Sequence, residues 1–349
     1  MPIYIQSANQ ISVQKPLSDE WLTHPILYNE ARVSTINPDF KAFLSPLMSR
    51  RMCNLLKRAV TLSRVTLKEA QVEMPDAIIS GTGLGCIENT EKFLSSISEN
   101  DEKFLQPTFF MQSTHNILSS TIAIELKCHG YNNTFVHRGA SFENALLDAM
   151  LQFETKKINH LLLGGYDELT DDYYIFFNRL GTWDFQPGDT YKKKSFAAEA
   201  AVNMLLANAK NENTLCEINA VELMYRPTTE QIEKSIDDIL EKASCKREDI
   251  DVLLTGINTI PANDTVYDAF MRNIFGTIPV MQYKHIFGES WSSSALSVYA
   301  AAKCLKTGVI PGFMLADSDN DLKGVKRILC YNHSKNKSHS LILLSSCSN

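Results

Sequence analysis

Short apolar runs that stop at small or polar residues recur along the chain. Asp76–Gly85, His160–Asp167 and Asp251–Gly256 each hold three to four consecutive aliphatic or small residues and then break at glycine, serine or threonine. Runs of that length without strict alternation predict strands buried on both faces, as in parallel sheets. Leu341–Leu344 predicts a closing strand. Between these runs the apolar spacing changes to that of a helix. Met52, Leu55, Leu56 and Val60 predict a basic amphipathic helix over Ser49–Ala70. Phe142, Ala145, Leu146, Ala149, Met150 and Phe153 predict another over Ser141–Thr155. Thr229–Ser244 and Ser292–Leu305 read as helices, as does Ile117–Lys127, and Thr134–His137 as a short strand running into a small-residue turn. Strands alternating with helices predict an α/β protein with mostly parallel sheet. The strand-then-small-loop theme occurs in both halves, at Ile79–Gly85 and Leu254–Asn263. This predicts an internal duplication. Asp172–Lys194 lacks periodicity and reads as a surface excursion.

Composition narrows the class. The chain has 349 residues, 44% hydrophobic and 21% charged. Those proportions exclude a disordered or fibrous protein. The net charge is −6, with no basic excess to indicate nucleic-acid binding. The first ten residues do not form a signal peptide, and no apolar run approaches the roughly 20 residues that span a bilayer. The expectation is a cytoplasmic protein. Eight cysteines are scattered with no C-x-x-C pair, so neither a zinc site nor any other metal is expected, and the thiols read as reduced.

The chemistry candidates are few. Gly81-Thr-Gly-Leu-Gly85 lacks the G-x-G-x-x-G spacing of a dinucleotide loop and reads as a strand-end turn; no cofactor is expected. Cys128 closes a helix and reads as a structural thiol, with His129 as a cation at the helix C-terminus. The strand-to-helix turn at His137–Ser141 is a place where a helix N-terminus activates a nucleophile. It carries Gly139 and Ala140, which cannot attack anything, followed by Ser141, a candidate cap together with Asn144.

Across most of its length the chain resembles the β-ketoacyl synthases of the thiolase superfamily. The resemblance rests on ordered matches. Gly81–Gly85 is similar to their early Gly-Thr-Gly loop. Pro107–Asn116 followed by Ile122–Gly130 is similar to their approach to the nucleophile. Leu163-Gly-Gly-Tyr-Asp-Glu168 is similar to a Gly-Gly-x-Glu strand end, and Glu199 to a Gly-Glu-Gly strand start. Pro261-Ala-Asn-Asp264 resembles the end of their His-Gly-Thr loop, and Lys284-His-Ile-Phe-Gly-Glu289 their Lys-x-x-x-Gly-His motif. Leu47–Asn54 and Arg138–Leu146 further resemble a divergent branch associated with aryl-polyene-type pathways. The resemblance implies a thiolase-like fold, two duplicated βαβαβ halves (1–208 and 209–349) in a layered α-β-α-β-α body.

It also implies a Cys-His-His catalytic set. Counting from the matched motifs, the cysteine position falls on Gly139, the first histidine on Gly256 and the second on Glu289; Lys284 is retained. The Gly-rich turn before the last strand is replaced by Asn332–Ser340, which has no glycine. Residues of a catalytic unit act together, so losing all three predicts no condensing activity. The resemblance then implies a chain-length-factor-type subunit of fatty-acid, polyketide or aryl-polyene biosynthesis. It would pair with an active ketosynthase, or with itself, and acyl carrier protein is a candidate partner. Phe109, Phe110, Met111, His115 and Asn116 are candidates for the tunnel and subunit interface, and Tyr173–Phe177 for interface or core. Arg50-Arg51 and Lys192–Lys194 are candidate carrier-docking charges. The rival expectation is an acyltransferase or hydrolase with its nucleophile relocated to Ser141 or Cys128, with His115 or His137 as base.

Overall fold

The computed structural model describes residues 2–156, 158–183 and 194–347. Ten strands form one sheet. The first five are β1 (Ile3–Ile11), β2 (Ala77–Gly81), β3 (Tyr131–Phe135), β4 (His160–Asp167) and β5 (Ala200–Ala207). The second five are β6 (Cys216–Tyr225), β7 (Val252–Thr255), β8 (Val280–Gln282), β9 (Arg327–Ser334) and β10 (Ser338–Ser346). Their spatial order is β8-β7-β9-β10-β6-β1-β5-β4-β2-β3. Each half therefore repeats one order: first, fifth, fourth, second, third. The directions repeat too. β1–β5 and β5–β4 are antiparallel, β4–β2 and β2–β3 parallel. β6–β10 and β10–β9 are antiparallel, β9–β7 and β7–β8 parallel. The halves join where Ile3–Ile5 pairs with Cys216–Ile218.

Helices fill three layers around this sheet. Between the halves lie α5 (Ser141–Lys156) and α9 (Ser293–Thr307). α9 is buried over most of its length, and its small residues Ala295, Ala300, Ala301 and Ala302 allow close approach of the strands. α5 turns Phe142, Ala145, Leu146, Ala149 and Phe153 into the same core. On the outer face of the first half, α1 (Asn54–Glu69) packs Leu55, Leu56, Ala59 and Val60 against Ile78, Leu162 and Leu205. On the outer face of the second half, α7 (Thr229–Lys242) packs Ile232, Ile236 and Ile239 against Leu253, Leu329 and Leu343. Each fully buried aliphatic side chain of this kind stabilises the layer by about 1.5–3 kcal/mol. α7 starts on a capping box, with Thr228 and Gln231 bonding each other's backbone. The result is an α-β-α-β-α body. Among the described residues no helix is long and apolar enough to cross a membrane.

Three local expectations need correction. The basic helix does not run from Ser49. A single turn, Pro46–Ser49, is capped by Ser45, the chain then breaks, and α1 begins only after Cys53. The break is held by Gln112, whose Nε2 donates to Arg51 O and whose Oε1 accepts from Cys53 N at 3.3 Å. Asp172–Lys194 is not wholly irregular. Asp171–Arg179 is a helix, with Thr170 capping Tyr173 N at 3.3 Å and acids in its first turn. Aromatic residues around its circumference hid the period, and 184–193 lie outside the described residues. The strand expected at Thr134–His137 is β3, Tyr131–Phe135. It lies at the sheet edge, where Asn132 and Asn133 replace the apolar pattern of a buried strand.

The two sheet edges differ. Past β8, Leu315 bridges Met281, and Ala316 N donates to Val280 O at 2.8 Å. Among the described residues, no strand pairs with the outer side of β3.

Candidate functional site

The C-terminal ends of parallel strands point their loops toward one another, where α/β sheets place their ligands. Here a cavity of about 380 Å³ opens among the turn before α5, the loops after β7 and β8, and the β9–β10 hairpin. Gly139, Gly256, Lys284 and Glu289 all line it. Positions drawn from three distant sequence stretches thus meet in one place.

Neither glycine is an empty slot. A side chain at Gly139 would put its Cβ 2.5 Å from Ser334 Oγ and 2.7 Å from Ser334 Cβ. The hairpin residue occupies the space a larger side chain needs. At Gly256 the Cβ would lie 2.6 Å from both Tyr267 Oη and Asn332 Oδ1. Those atoms are engaged: Asn332 Oδ1 accepts from Tyr283 Oη at 3.0 Å, and Tyr267 Oη accepts from His333 N at 3.1 Å. Glu289 is tied on both oxygens. Oε1 accepts from the buried Lys284 Nζ at 2.8 Å and Oε2 from Asn258 Nδ2 at 2.8 Å. An anion at this point opposes developing negative charge instead of stabilising it.

Glu143 and His333 are among the further ionisable groups that line the cavity, with Tyr283 and Lys335. Glu143 is fully buried, and burial pushes its carboxyl up to about 7. Its Oε1 accepts from Ser340 Oγ at 3.2 Å. Burial pushes the His333 imidazole down to about 3, so it is neutral. Its Nε2 donates to Asn263 O at 2.9 Å and its Nδ1 accepts from Asn336 N at 3.2 Å. With both ring nitrogens engaged by backbone, His333 offers no N–H to an oxyanion and no lone pair to a proton. Sequence reasoning missed both residues. Glu143 sits two residues past Ser141 on the buried face of α5, and an acid in the first turn of a helix reads as a dipole complement.

The relocated-nucleophile candidates are placed elsewhere. Ser141 is buried, its Oγ accepting from His137 N at 2.8 Å and donating to Arg138 O at 2.7 Å. It closes the turn instead of capping α5 together with Asn144, whose Nδ2 donates to Ala140 O at 2.7 Å. Cys128 Sγ donates to Pro75 O at 3.3 Å, far from the cavity lining. His115 is half-buried beside Gly85, and desolvation lowers its pKa. None of these, nor His137, lines the cavity.

The interface candidates also lie outside it. Phe109, Phe110 and Met111 belong to α3 (Pro107–Ser113), and Asn116 precedes α4 (Ile117–Leu126). Phe110 is 57% and Met111 63% exposed, and Ile124 on the next helix is 73% exposed. α3 touches α4, and α4 packs against β3, so these groups flank one corner of the molecule at the sheet edge. Tyr173–Phe177 lie on Asp171–Arg179, near the cavity mouth; Phe177 packs edge-on to Trp291, and Lys335 Nζ lies 5.9 Å from each ring. Arg50 and Arg51 are exposed in the break before α1; Lys192 and Lys193 fall outside the described residues. No group of three metal-ligating side chains occurs among the described residues.

Comparison with known proteins agrees with this architecture. In shape the chain is similar to "the ishigamide ketosynthase/chain length factor", with a TM-score of 0.83, 16% identity and 99% of both chains covered. It is similar to a β-ketoacyl synthase from Burkholderia phymatum STM815, with a TM-score of 0.82, 15% identity, and 99% of this chain and 100% of that one covered. A third likeness is to the ketosynthase ApeO in complex with its chain length factor ApeC from Xenorhabdus doucetiae, with a TM-score of 0.74, 13% identity and coverage of 99% and 98%. No curated protein matches in sequence. The family described as "Beta-ketoacyl synthase, N-terminal domain" matches residues 20–244, more than half of the chain. With the duplicated sheet, the two central helices and the cavity at the strand ends, that match makes the chain a member of the β-ketoacyl synthase family.

Proposed function

We propose that this chain is a non-condensing subunit that pairs with an active β-ketoacyl synthase, in the manner of a chain length factor, in fatty-acid, polyketide or aryl-polyene-type biosynthesis. One observation carries the reading. The positions assigned to the family's thiol and imidazoles converge on one cavity, and there they are Gly139, Gly256 and Glu289, the glycines packed against Ser334, Asn332 and Tyr267. Without a thiol no acyl-enzyme forms. No imidazole is available to take up the charge of an enolate. The bare β3 edge and the exposed Phe110, Met111 and Ile124 support a partner on that corner, since large exposed apolar groups beside an open edge mark an association surface. Structural neighbours described as ketosynthase and chain length factor together support the kind of partner.

The test is co-expression with an active ketosynthase encoded in the same gene neighbourhood, once one is identified there. A stable complex is expected, with condensation only when the partner is present. The isolated chain, given an acyl-carrier-protein thioester, is expected to gain no acyl mass. Failure to co-purify refutes the pairing. Acylation of the lone chain, abolished by Ser141→Ala or Cys128→Ala, replaces this reading with the acyltransferase one.

A further inference from the structure

Polar atoms without partners collect in the cavity around the start of α9. Ser292 precedes that helix, and no side chain caps it. Ser294, in its first turn, lines the cavity and is 5% exposed, and its Oγ has no hydrogen-bond partner. Glu143, in the first turn of α5, is 2% exposed, and its Oε2 is likewise unpartnered. The two groups face each other without completing a hydrogen bond. Ser290 Oγ, also on the lining, is a further buried hydroxyl with no partner. Buried polar atoms nearly always have a partner, so a cluster of exceptions marks a place where water or a ligand supplies one. The groups here are mostly donors. Serine hydroxyls donate, and an uncapped helix start adds free backbone N–H groups and the positive end of its dipole. Lys284 is 6% exposed, and its ammonium has more donors than the one Glu289 Oε1 accepts at 2.8 Å. In formal charge, Lys284 and Lys335 outnumber Glu289 on the lining while Glu143 holds a proton.

We infer that this cavity binds a small free oxoanion, a carboxylate or a sulfate-like group, between Ser294, Lys284 and the start of α9, and that it takes up the anion together with a proton on Glu143. The proton admits the ligand. Ionised, the Glu143 carboxylate is itself the anion in this space and repels another. Protonated, its O–H becomes one more donor. Burial pushes the carboxyl up to about 7, so the receptive form prevails below that pH. Glu143 is faced by Ser294 from α9, by Ser340 from β10, and by Tyr283 and Lys284 from the segment after β8. Glu289, His333 and Lys335 complete the charged and titratable lining. Burial keeps Tyr283 protonated and His333 neutral from pH 6 to 9, so neither imitates the Glu143 titration. The inference rests on the cavity of the lone chain and not on pairing with a synthase, so either can fail without the other.

The experiment titrates the full-length chain with sodium acetate and with sodium sulfate in a calorimeter from pH 6 to 9, with chloride at matched ionic strength as the reference. Saturable binding that chloride does not reproduce is expected with at least one probe. The probe that binds more tightly shows whether the natural ligand carries a carboxylate or a sulfate-like group. Its Kd is expected to be flat below pH 7 and to rise about tenfold per pH unit above it, because one proton is bound with the anion. Glu143→Gln keeps a donor and cannot ionise, so it is expected to bind at every pH with no slope. Ser294→Ala is expected to weaken binding about tenfold, the loss of one hydrogen bond to a charged group. A response no greater than that of chloride for both probes, a wild-type Kd unchanged between pH 7 and 9, or a Glu143→Gln chain that keeps the slope each overturns the inference. The wild-type pH series needs no variant to fold and no partner subunit.

Discussion

Replacing Gly139 by cysteine puts a thiol at the position that motif counting assigns to the family's nucleophile, and it tests whether the site is merely vacant or closed. The new Cβ would lie 2.7 Å from Ser334 Cβ, while ordinary contact begins at 3.4 Å. The turn and the hairpin must therefore part by 3.4 − 2.7 = 0.7 Å. A Cβ is fixed to its backbone, so no rotamer relieves the overlap; only displacement of the β9–β10 hairpin or of the α5 turn does. Overpacking of this kind costs about 1–3 kcal/mol. In thermal denaturation Gly139→Cys is expected to melt several degrees below wild type. Ser334→Gly in the same chain removes the opposing Cβ and is expected to restore most of the loss. The single variant is expected to take no acyl group from a carrier-protein thioester, because no free imidazole faces the new thiol. A Gly139→Cys chain with wild-type stability, or one that becomes acylated, would refute the packing argument.

Three further outcomes are expected. Glu143 rises from an ordinary 4.5 to about 7 through burial. Between those pH values the folded chain binds the proton and the unfolded chain does not, so stability falls as pH rises through this window and levels off above it. The loss is about 3 kcal/mol; melting curves from pH 5 to 8 should show it, and Glu143→Gln should flatten them. Arg58 Nη1 lies 2.9 Å from Glu199 Oε2, with the arginine side chain 5% and the glutamate 17% exposed. Arg58→Met strands that carboxylate and is expected to cost about 3 kcal/mol in urea titration, near the lower limit for a broken buried pair. Met111→Glu with Ile124→Glu puts charge on the exposed corner; it should abolish co-purification with the synthase while leaving the melting temperature within a degree or two, as surface changes do.

The sequence shows the buried strands well. His160–Asp167 reads as apolar because helices cover both of its faces, and the two-sided burial leaves a continuous run. The edge strand β3 gives no apolar signal because Asn132 and Asn133 are polar on both of its faces, with Asn132 Nδ2 donating to Ser119 O on α4 at 2.9 Å. The cavity was partly legible. Counting from Gly130, from Pro261–Asp264 and from Lys284 nominates residues that line one space. What fills that space was not legible. Ser334 meets Gly139 across 334 − 139 = 195 residues, and Asn332 meets Gly256 only through the hairpin, while Tyr267 reaches it from the helix Pro261–Phe270. Glu143 and His333 carry no local signature of burial. Their shifted ionisation comes from tertiary packing, which no spacing encodes.

The unequal edges of the sheet set how assembly ends. The β8 edge is closed by its own chain through Leu315 and Ala316, whereas β3 presents a full row of backbone donors and acceptors. A protein with two open edges can add neighbours without limit and grow a fibre. With one edge sealed, joining β3 to the matching strand of a second subunit of the same architecture uses up the sole site of growth on each side. The product has a sealed edge at both outer ends. On the proposed pairing, association would be self-terminating, with two subunits as its stopping point whichever partner is chosen.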